Sequence, residues 1–345
     1  MNKKSLFKYI SLSIFINSSV SIADNNNQTN HIIPDQNKPQ TLTIDNKNID
    51  TININPADKG GLSHNYYIKF NIDEKGLILN NKKQDNIPAA KMIISEVTSK
   101  YPSYINGIIE IAGENAHHLI VNPNGINCNG CGFTNETTLV TGKLIKINQE
   151  DTKVVSYNRK AIIINNLRNE RAKGNLNIVS NNIKFSGRNI NNKNINIYSL
   201  GSDNFNENNK DNKNIQDPEL TIQRRPTHVK IKKLASITSG GLFIRSDHRY
   251  NIKNYGLIDV NELNITSKGH YYGAPKSKLR IISENTKQSS ILNLRQARFY
   301  HSEIEINNSA LMISANNLFN NDDIEKHNQL RLTHSRLYIG GGFDY

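Results

Sequence analysis

Tryptophan is absent from this 345-residue chain, cysteine occurs twice and methionine three times. Only 36% of the residues are hydrophobic. A compact α/β enzyme would usually bury more apolar mass, whereas a solenoid manages with less because each coil buries a thin stripe against its neighbours. Beyond the first residues no run is apolar enough to span a bilayer as a helix. No stretch carries a helical period with caps. There is no Gly-x-Ser-x-Gly, no phosphate-binding loop and no His-Glu-x-x-His, and carboxylates are sparse on the expected strands, so no acid–base pair stands out. These absences turn the reading away from enzymes. No catalytic residue, metal or cofactor is expected.

What is present is short, repetitive and polar. Strands of the form Leu/Ile-x-Ile/Leu recur at Leu144 with Ile145 and Ile147, Ile162 to Ile164, Leu176 to Ile178, Ile195 to Ile197, Leu220 to Ile222, Leu242 to Ile244, Leu263 to Ile265, Leu311 to Ile313 and Leu330 to Leu332. Asn, Gly and Ser fill the intervals. Alternation at period two means strands with one face buried, and irregular repetition of three-residue strands and polar turns is what a β-helix needs. At roughly 20–25 residues per coil the chain holds about a dozen coils spaced ~4.8 Å apart, a rod of order 60 Å. Stacked asparagines can ladder from coil to coil through side-chain hydrogen bonds; codon bias towards Asn, Lys and Ile is the competing account of the same richness.

The densest signal is Asn122-Pro123-Asn124-Gly125-Ile126-Asn127-Cys128-Asn129-Gly130-Cys131. Pro123 fixes its own φ and pushes Asn122 into an extended shape. Asn124 and Gly125 both tolerate positive φ, so the block reads as a tight turn. It follows Ile108 to Ala112 and His118 to Val121, both strand-like, and therefore caps a strand rather than a helix.

The N-terminus has the form of a secretory signal peptide, residues 1–23. Lys3, Lys4 and Lys8 precede an apolar core from Leu6 to Val20, and Ser21-Ile22-Ala23 supplies the small residues of a cleavage site. Residues 24–40 read as a flexible polar start, and alternating strands from Thr41 to Ile54 as a β cap on the first coil, whose edge would otherwise be open.

Across about eighty residues the chain resembles the secretion domain of two-partner secretion exoproteins, the filamentous haemagglutinin, haemolysin and contact-dependent inhibition families. The resemblance rests on an ordered set: Gly61-Leu62-Ser63-His64-Asn65-Tyr66, Phe70-Asn71, Gly76 to Asn81, Glu96 to Ser99, Pro102-Ser103, Asn106-Gly107, Ile111 to Gly113, the Asn-Pro-Asn-Gly-Ile block, Cys-x-x-Cys and Thr141-Gly142. It weakens towards Leu200. Two departures are visible. The interval holding Asn86-Ile87-Pro88 lacks a second Asn-Pro-Asn turn, and Thr134 to Thr138 lacks the family's basic residue.

The resemblance implies an all-β fold, a right-handed parallel β-helix with an N-terminal β cap and small extra-helical strands. It implies a two-partner secretion domain over 24–200, with 201–226 a polar linker and 227–345 a β-helix extension that begins haemagglutinin-like repeats. It implies export through the periplasm to the medium or cell surface of a Gram-negative bacterium, with an outer-membrane barrel transporter as partner. Asn122, Pro123, Asn124, Gly125 and Ile126 form the recognition turn, with Asn122 and Asn124 either direct contacts for the transporter or, the reading preferred here, side chains that hold the turn through local backbone bonds. His64, Asn65, Tyr66, Phe70, Asn71, Asn80, Asn81 and Glu96 form a structural signature, of which His64, Asn65, Tyr66 and Phe70 are read as a core cluster. An adhesion or haemagglutination role is the leading function, directed at a host-cell or bacterial surface. A haemolysin or contact-dependent toxin fragment is the alternative, with membrane contact only in that case. A polysaccharide-cleaving β-helix comes third, since it needs clustered Asp with Lys or Arg on one strand face. No nucleic-acid partner is expected.

In a secreted chain Cys128 and Cys131 read first as a local disulfide. Zinc held with His117 and His118 is the alternative, opposed by the fact that adjacent strand residues point to opposite faces. No βαβ pattern surrounds the pair, which argues against a thioredoxin-like site. The formal charge is +13. The basic residues are scattered along the chain, which reads as a solvated surface; contact with lipopolysaccharide or glycosaminoglycans is the alternative. Lys230 and Lys232, alternating with Val229 and Ile231, are expected on the solvated face of one strand.

Overall fold

The computed structural model describes residues 31–46, 48–83, 88–147, 152–155, 160–170, 172–198, 227–246, 250–283, 289–318, 329–333 and 335–341. The signal peptide, residues 24–30, Asn86 and Ile87, the 201–226 linker with its Leu220–Ile222 strand, and the last four residues lie outside these.

Every described element is a strand. In chain order the first are β1 (Ile32–Pro34), β2 (Thr43–Asn46), β3 (Asp50–Asn53), β4 (Leu62–Phe70), β5 (Leu77–Asn81), β6 (Met92–Val97), β7 (Ser103–Ile105), β8 (Ile108–Gly113), β9 (His117–Val121) and β10 (Ile126–Asn129). Then come β11 (Gly132–Phe133), β12 (Thr137–Val140), β13 (Lys143–Ile147), β14 (Thr152–Val155), β15 (Ile162–Asn165), β16 (Arg168–Asn169), β17 (Leu176–Val179), β18 (Asn182–Ser186) and β19 (Arg188–Tyr198). The remainder are β20 (Thr227–Ile231), β21 (Ser236–Ser246), β22 (Tyr250–Asn254), β23 (Leu257–Gly273), β24 (Lys278–Ile282), β25 (Ser289–Phe299), β26 (Glu303–Asn307), β27 (Ala310–Leu318), β28 (Gln329–Thr333) and β29 (Arg336–Gly341).

These strands stack in parallel on three faces of a coil. The first face runs β4, β6, β9, β12, β17 and then through β19, β21, β23, β25, β27 and β29. The second runs β7, β10, β15, β18, β20, β22 and onto the ends of β23 and β25. The third runs β3, β5, β8, β11 and continues as β16, β19, β21, β23, β24, β26 and β28. β23 bends around all three faces. Its start pairs with β24, its middle with β21 and its end with β22.

The interior explains the composition. Ile237, Ile258, Leu279 and Ile304 occupy one register position in four successive coils, and all are buried. Each buried branched side chain contributes roughly 1.5–3 kcal/mol relative to exposure, and its neighbours in sequence face water. A small apolar fraction therefore fills a continuous core.

Asparagines form the expected rungs. Asn80 donates to Asn53 (2.7 Å), Asn165 to Asn129 (2.7 Å), Asn169 to Asn191 (2.9 Å) and Asn196 to Asn177 (2.8 Å). All four are in-register partners in adjacent coils.

Four expectations need correction. Residues 31–40 are ordered: β1 pairs antiparallel with β4, and Gln40 bonds both ways to the Tyr66 backbone. Leu144 to Ile147 is no coil strand, because β13 pairs antiparallel with β14 alone. Leu144 instead packs on an outer apolar cluster of Ile94, Leu119, Val121, Val140 and Val179, so the hairpin shields a patch that two-sided burial makes hydrophobic. Lys232 leaves the strand face, since β20 ends at Ile231 and Lys232 opens a corner closed by the Ala235 N–H bonding the Lys232 carbonyl (3.0 Å). Finally, carboxylates and cations do gather on one face: Arg280 bonds Asp259 and Glu305 (both 3.0 Å) in the coils on either side, and Lys278 bonds Glu303 (2.7 Å).

Candidate functional site

The Asn-Pro-Asn-Gly turn joins β9 to β10, passing from the first face to the second. The Gly125 N–H bonds the Asn122 carbonyl (3.2 Å), closing a four-residue turn with Pro at its second position and Gly at its fourth. Gly125 alone has positive φ (109°); Asn124 does not use the freedom its residue type allows. A Cβ on Gly125 would stand 3.2 Å from the Ala161 carbonyl oxygen of the next coil.

The turn is fastened to the coil before it. Asn122, fully buried, donates its amide to the Tyr101 carbonyl (3.0 Å) and the Ser103 hydroxyl (2.9 Å), while its Oδ1 accepts from the Asn124 N–H (2.8 Å). Asn124 donates to the Ser99 carbonyl (2.7 Å). The Ser103 N–H in turn bonds the Gly125 carbonyl (3.0 Å). Two motifs far apart in sequence, Glu96 to Ser103 and Asn122 to Ile126, thus form one corner. Ile126 is buried in the core, and Pro123 stands half-exposed at the turn's outer edge.

The next corner carries the cysteines. Cys128 and Cys131 are both buried and disulfide-bonded, with Cα atoms 5.2 Å apart. Gly130 between them has φ of 78° and offers its carbonyl to the Arg168 fork (3.0 and 2.9 Å). His117 and His118 point to opposite sides: His117 bonds the Thr138 hydroxyl (2.7 Å) outside, His118 the Ser95 hydroxyl (3.0 Å) inside.

The Gly-Leu-Ser-His-Asn block divides between two surfaces, which corrects its reading as one core cluster. On β4, Ser63, Asn65, Tyr67 and Phe70 face inward and are fully buried, whereas His64 and Tyr66 face outward. Asn65 donates to the Ile94 carbonyl (3.2 Å) and accepts from the Asn55 N–H (2.8 Å). Outside, His64 Nε2 meets Glu96 Oε2 at 2.8 Å, and Tyr66 Oη meets His64 Nδ1 at 3.0 Å. The carboxylate can only accept, so His64 Nε2–H is the donor to Glu96. Asn71 accepts from the Tyr104 N–H (2.9 Å). Asn81 clamps Ala90 through both its N–H and its carbonyl (2.7 and 2.8 Å).

Sequence reading missed Tyr67 and weighed His118 only as a zinc ligand. Both are buried in the coil beside Ser95. Burial pushes the Tyr67 phenol up, the Ser95 hydroxyl offsetting this in part. Burial, and then the neighbouring His117, hold His118 down at about 3, so it is neutral at ordinary pH. The alternation of β9 gave the signal: His117 and His118 could not both face water.

A capped, three-faced parallel solenoid with a pinned asparagine turn and a side hairpin defines the class, a β-helical module. By fold it is similar to the secretion domain of filamentous hemagglutinin, with a TM-score of 0.57 at 17% identity, covering 90% of this chain and 99% of that one. In sequence it is 41% identical over 109 residues to the Toxin CdiA of Yersinia pestis, which is 27% of this chain and 3% of that protein. It is 34% identical over 131 residues to the Hemolysin of Proteus mirabilis, 33% of this chain and 8% of that protein. The chain therefore spans only a few hundredths of these relatives' length. The TPS secretion domain model matches residues 30–237, and the chain belongs to that family. It carries the part of a two-partner secretion exoprotein that an outer-membrane transporter recognises.

Proposed function

We propose that this protein is a secreted exoprotein whose N-terminal domain, residues 24–200, is its address for the transporter, and whose remaining coils serve adhesion or haemagglutination at a host-cell or bacterial surface. A cleaved signal over residues 1–23, passage through an oxidising periplasm where Cys128 and Cys131 pair, and right-handed winding are parts of this reading. No chemistry of catalysis is assigned. The supporting observation is the corner where the Asn122–Ile126 turn is bonded to the Ser99–Ser103 segment, inside the span matched by the secretion-domain family. A recognition surface needs a fixed backbone, and buried side-chain bonds to backbone supply it.

Co-expression with the cognate transporter tests the proposal. Asn122→Ala and Asn124→Ala should leave protein in the periplasm, and undiminished protein in the medium would refute the assignment of the turn. A cytolytic or contact-dependent toxin role is the second reading, favoured by the similarity to Hemolysin and Toxin CdiA. Secretion-dependent red-cell lysis would select it.

A further inference from the structure

The basic residues that look scattered in sequence are collected by the coil. On the second face, Lys184 pairs in register with Lys230, Lys230 with Lys253, Lys253 with Tyr272 and Tyr272 with Arg298. The residues before them, Ile183, Val229, Ile252, Tyr271 and Ala297, are all buried. Alternation therefore turns the whole column outward. Lys230, Lys253 and Arg298 are exposed and Lys184 half-exposed. With coils ~4.8 Å apart, the column runs about 19 Å.

Two further observations bear on its role. The strand segments that build this column (β18, β20, β22, and residues 270–273 and 296–299) contain no Asp or Glu. The third face behaves differently: there Arg280 and Lys278 are neutralised by Asp259, Glu305 and Glu303 in neighbouring coils. Like charges directly opposite one another destabilise a sheet. Three successive lysines without interleaved acids therefore work against the fold and are explained by a ligand that supplies the missing charge. The positive field is already felt by His228, whose imidazole is held below its usual range by burial and then by Lys253. Tyr255 stands beside the column, with Lys230 Nζ 5.3 Å from its ring centre and Tyr272 edge-on at 6.1 Å.

We propose that this stripe is a binding site for a linear anionic polysaccharide, sulfated or uronate-bearing, laid along the stack. The line is one residue wide, and its rung spacing is about the length of one sugar in an extended chain, so anionic groups on successive sugars meet Lys184, Lys230 and Lys253, with Tyr272 and then Arg298 beyond them. Tyr255 and Tyr272 offer ring faces and edges to the sugar's apolar side. A flat anionic bilayer would call for a broad patch instead. This site lies away from the Asn122 turn and does not depend on the export reading; protein that fails to be secreted would still show it when purified.

The test is retention of the purified full-length mature chain on heparin, and its affinity for heparin in solution, against vesicles containing phosphatidylglycerol. K184Q/K230Q/K253Q should weaken heparin binding by about tenfold or more at low salt. The off-stripe triple K59Q/K75Q/K100Q, equal in net charge, should change it by no more than about twofold. K184R/K230R/K253R should keep it. The Gln stripe variant should melt at the same or a higher temperature, because repulsion is relieved. Equal losses in the two Gln triples would reduce the effect to net charge and overturn the proposal. So would unchanged binding by the stripe variant, or wild-type protein that binds the vesicles and not heparin.

Discussion

Single side chains decide the candidate site. Asn122 makes buried bonds to a backbone carbonyl, a hydroxyl and a backbone N–H. Asn122→Ala leaves those partners unsatisfied and should cost about 2–3 kcal/mol of unfolding free energy, against roughly 1 kcal/mol for half-exposed Asn124→Ala. Urea midpoints of the purified variants measure the difference, and equal midpoints would contradict it. His118 gives a pH dependence with a definite sign. Its folded value of about 3 lies below the ordinary 6.5, so the unfolded chain binds the extra proton. Stability is complete above pH 6.5 and declines as the pH falls towards 3. His118→Leu should flatten that part of the urea-midpoint profile, and an unaltered slope would remove His118 as its source. Cys128→Ser should lower stability modestly, since a loop this short holds little chain entropy.

The residue-level legibility of the sequence was uneven. The turn, the cysteine pair and the inward Asn65 follow from residue type and alternation. The pinning of Asn122 to Ser103 does not, because it needs the coil-to-coil register that brings residues about twenty apart into contact. The division of His64 and Tyr66 from Asn65 and Tyr67 was available from period two alone, yet a block of shared letters suggested one cluster.

Among elements, the corners and the hairpin carry the lessons. Leu234 sits at φ of 66° with 92% of its surface exposed, and Lys276 and His301 take the same left-handed conformation at the equivalent position in later coils, two residues before the strand begins. A β-unbranched but bulky residue is strained there and gains nothing from burial. Leu234→Gly or Leu234→Asn should therefore raise the unfolding free energy, by up to about 1 kcal/mol, seen as a higher urea midpoint; a lower midpoint would show that the side chain has a partner. Replacing residues 143–155 by a short Gly-Ser link should uncover Ile94, Leu119, Val121, Val140 and Val179. Increased dye binding and aggregation at unchanged coil content are expected. Leu144 to Ile147 has the letters of a coil strand. Only its antiparallel partner, twelve residues or fewer away in sequence, marks it as a hairpin, and β-propensity is silent on partners.

For the molecule as a whole, the fold class was legible because the interior is one-dimensional: a repeated Ile/Leu stripe is enough to define it. The three faces were not, since strands of three to five residues look alike whichever face they join. Nor was the charge pattern. Lys184, Lys230 and Lys253 are distant in sequence and form a line only once coils of unequal length are stacked. The Arg280 ladder arises the same way, and at partial exposure it adds well under ~1 kcal/mol per pair.

The amide rungs have a consequence for the medium in which such a stack survives. Carboxamides do not ionise and are not shielded by dissolved ions, unlike the arginine–carboxylate pairs nearby. From Asn53 and Asn80 to Asn177 and Asn196, the cross-links are indifferent to acidity and salinity alike, so brine or dilute buffer leaves that part of the scaffold fastened to the same degree.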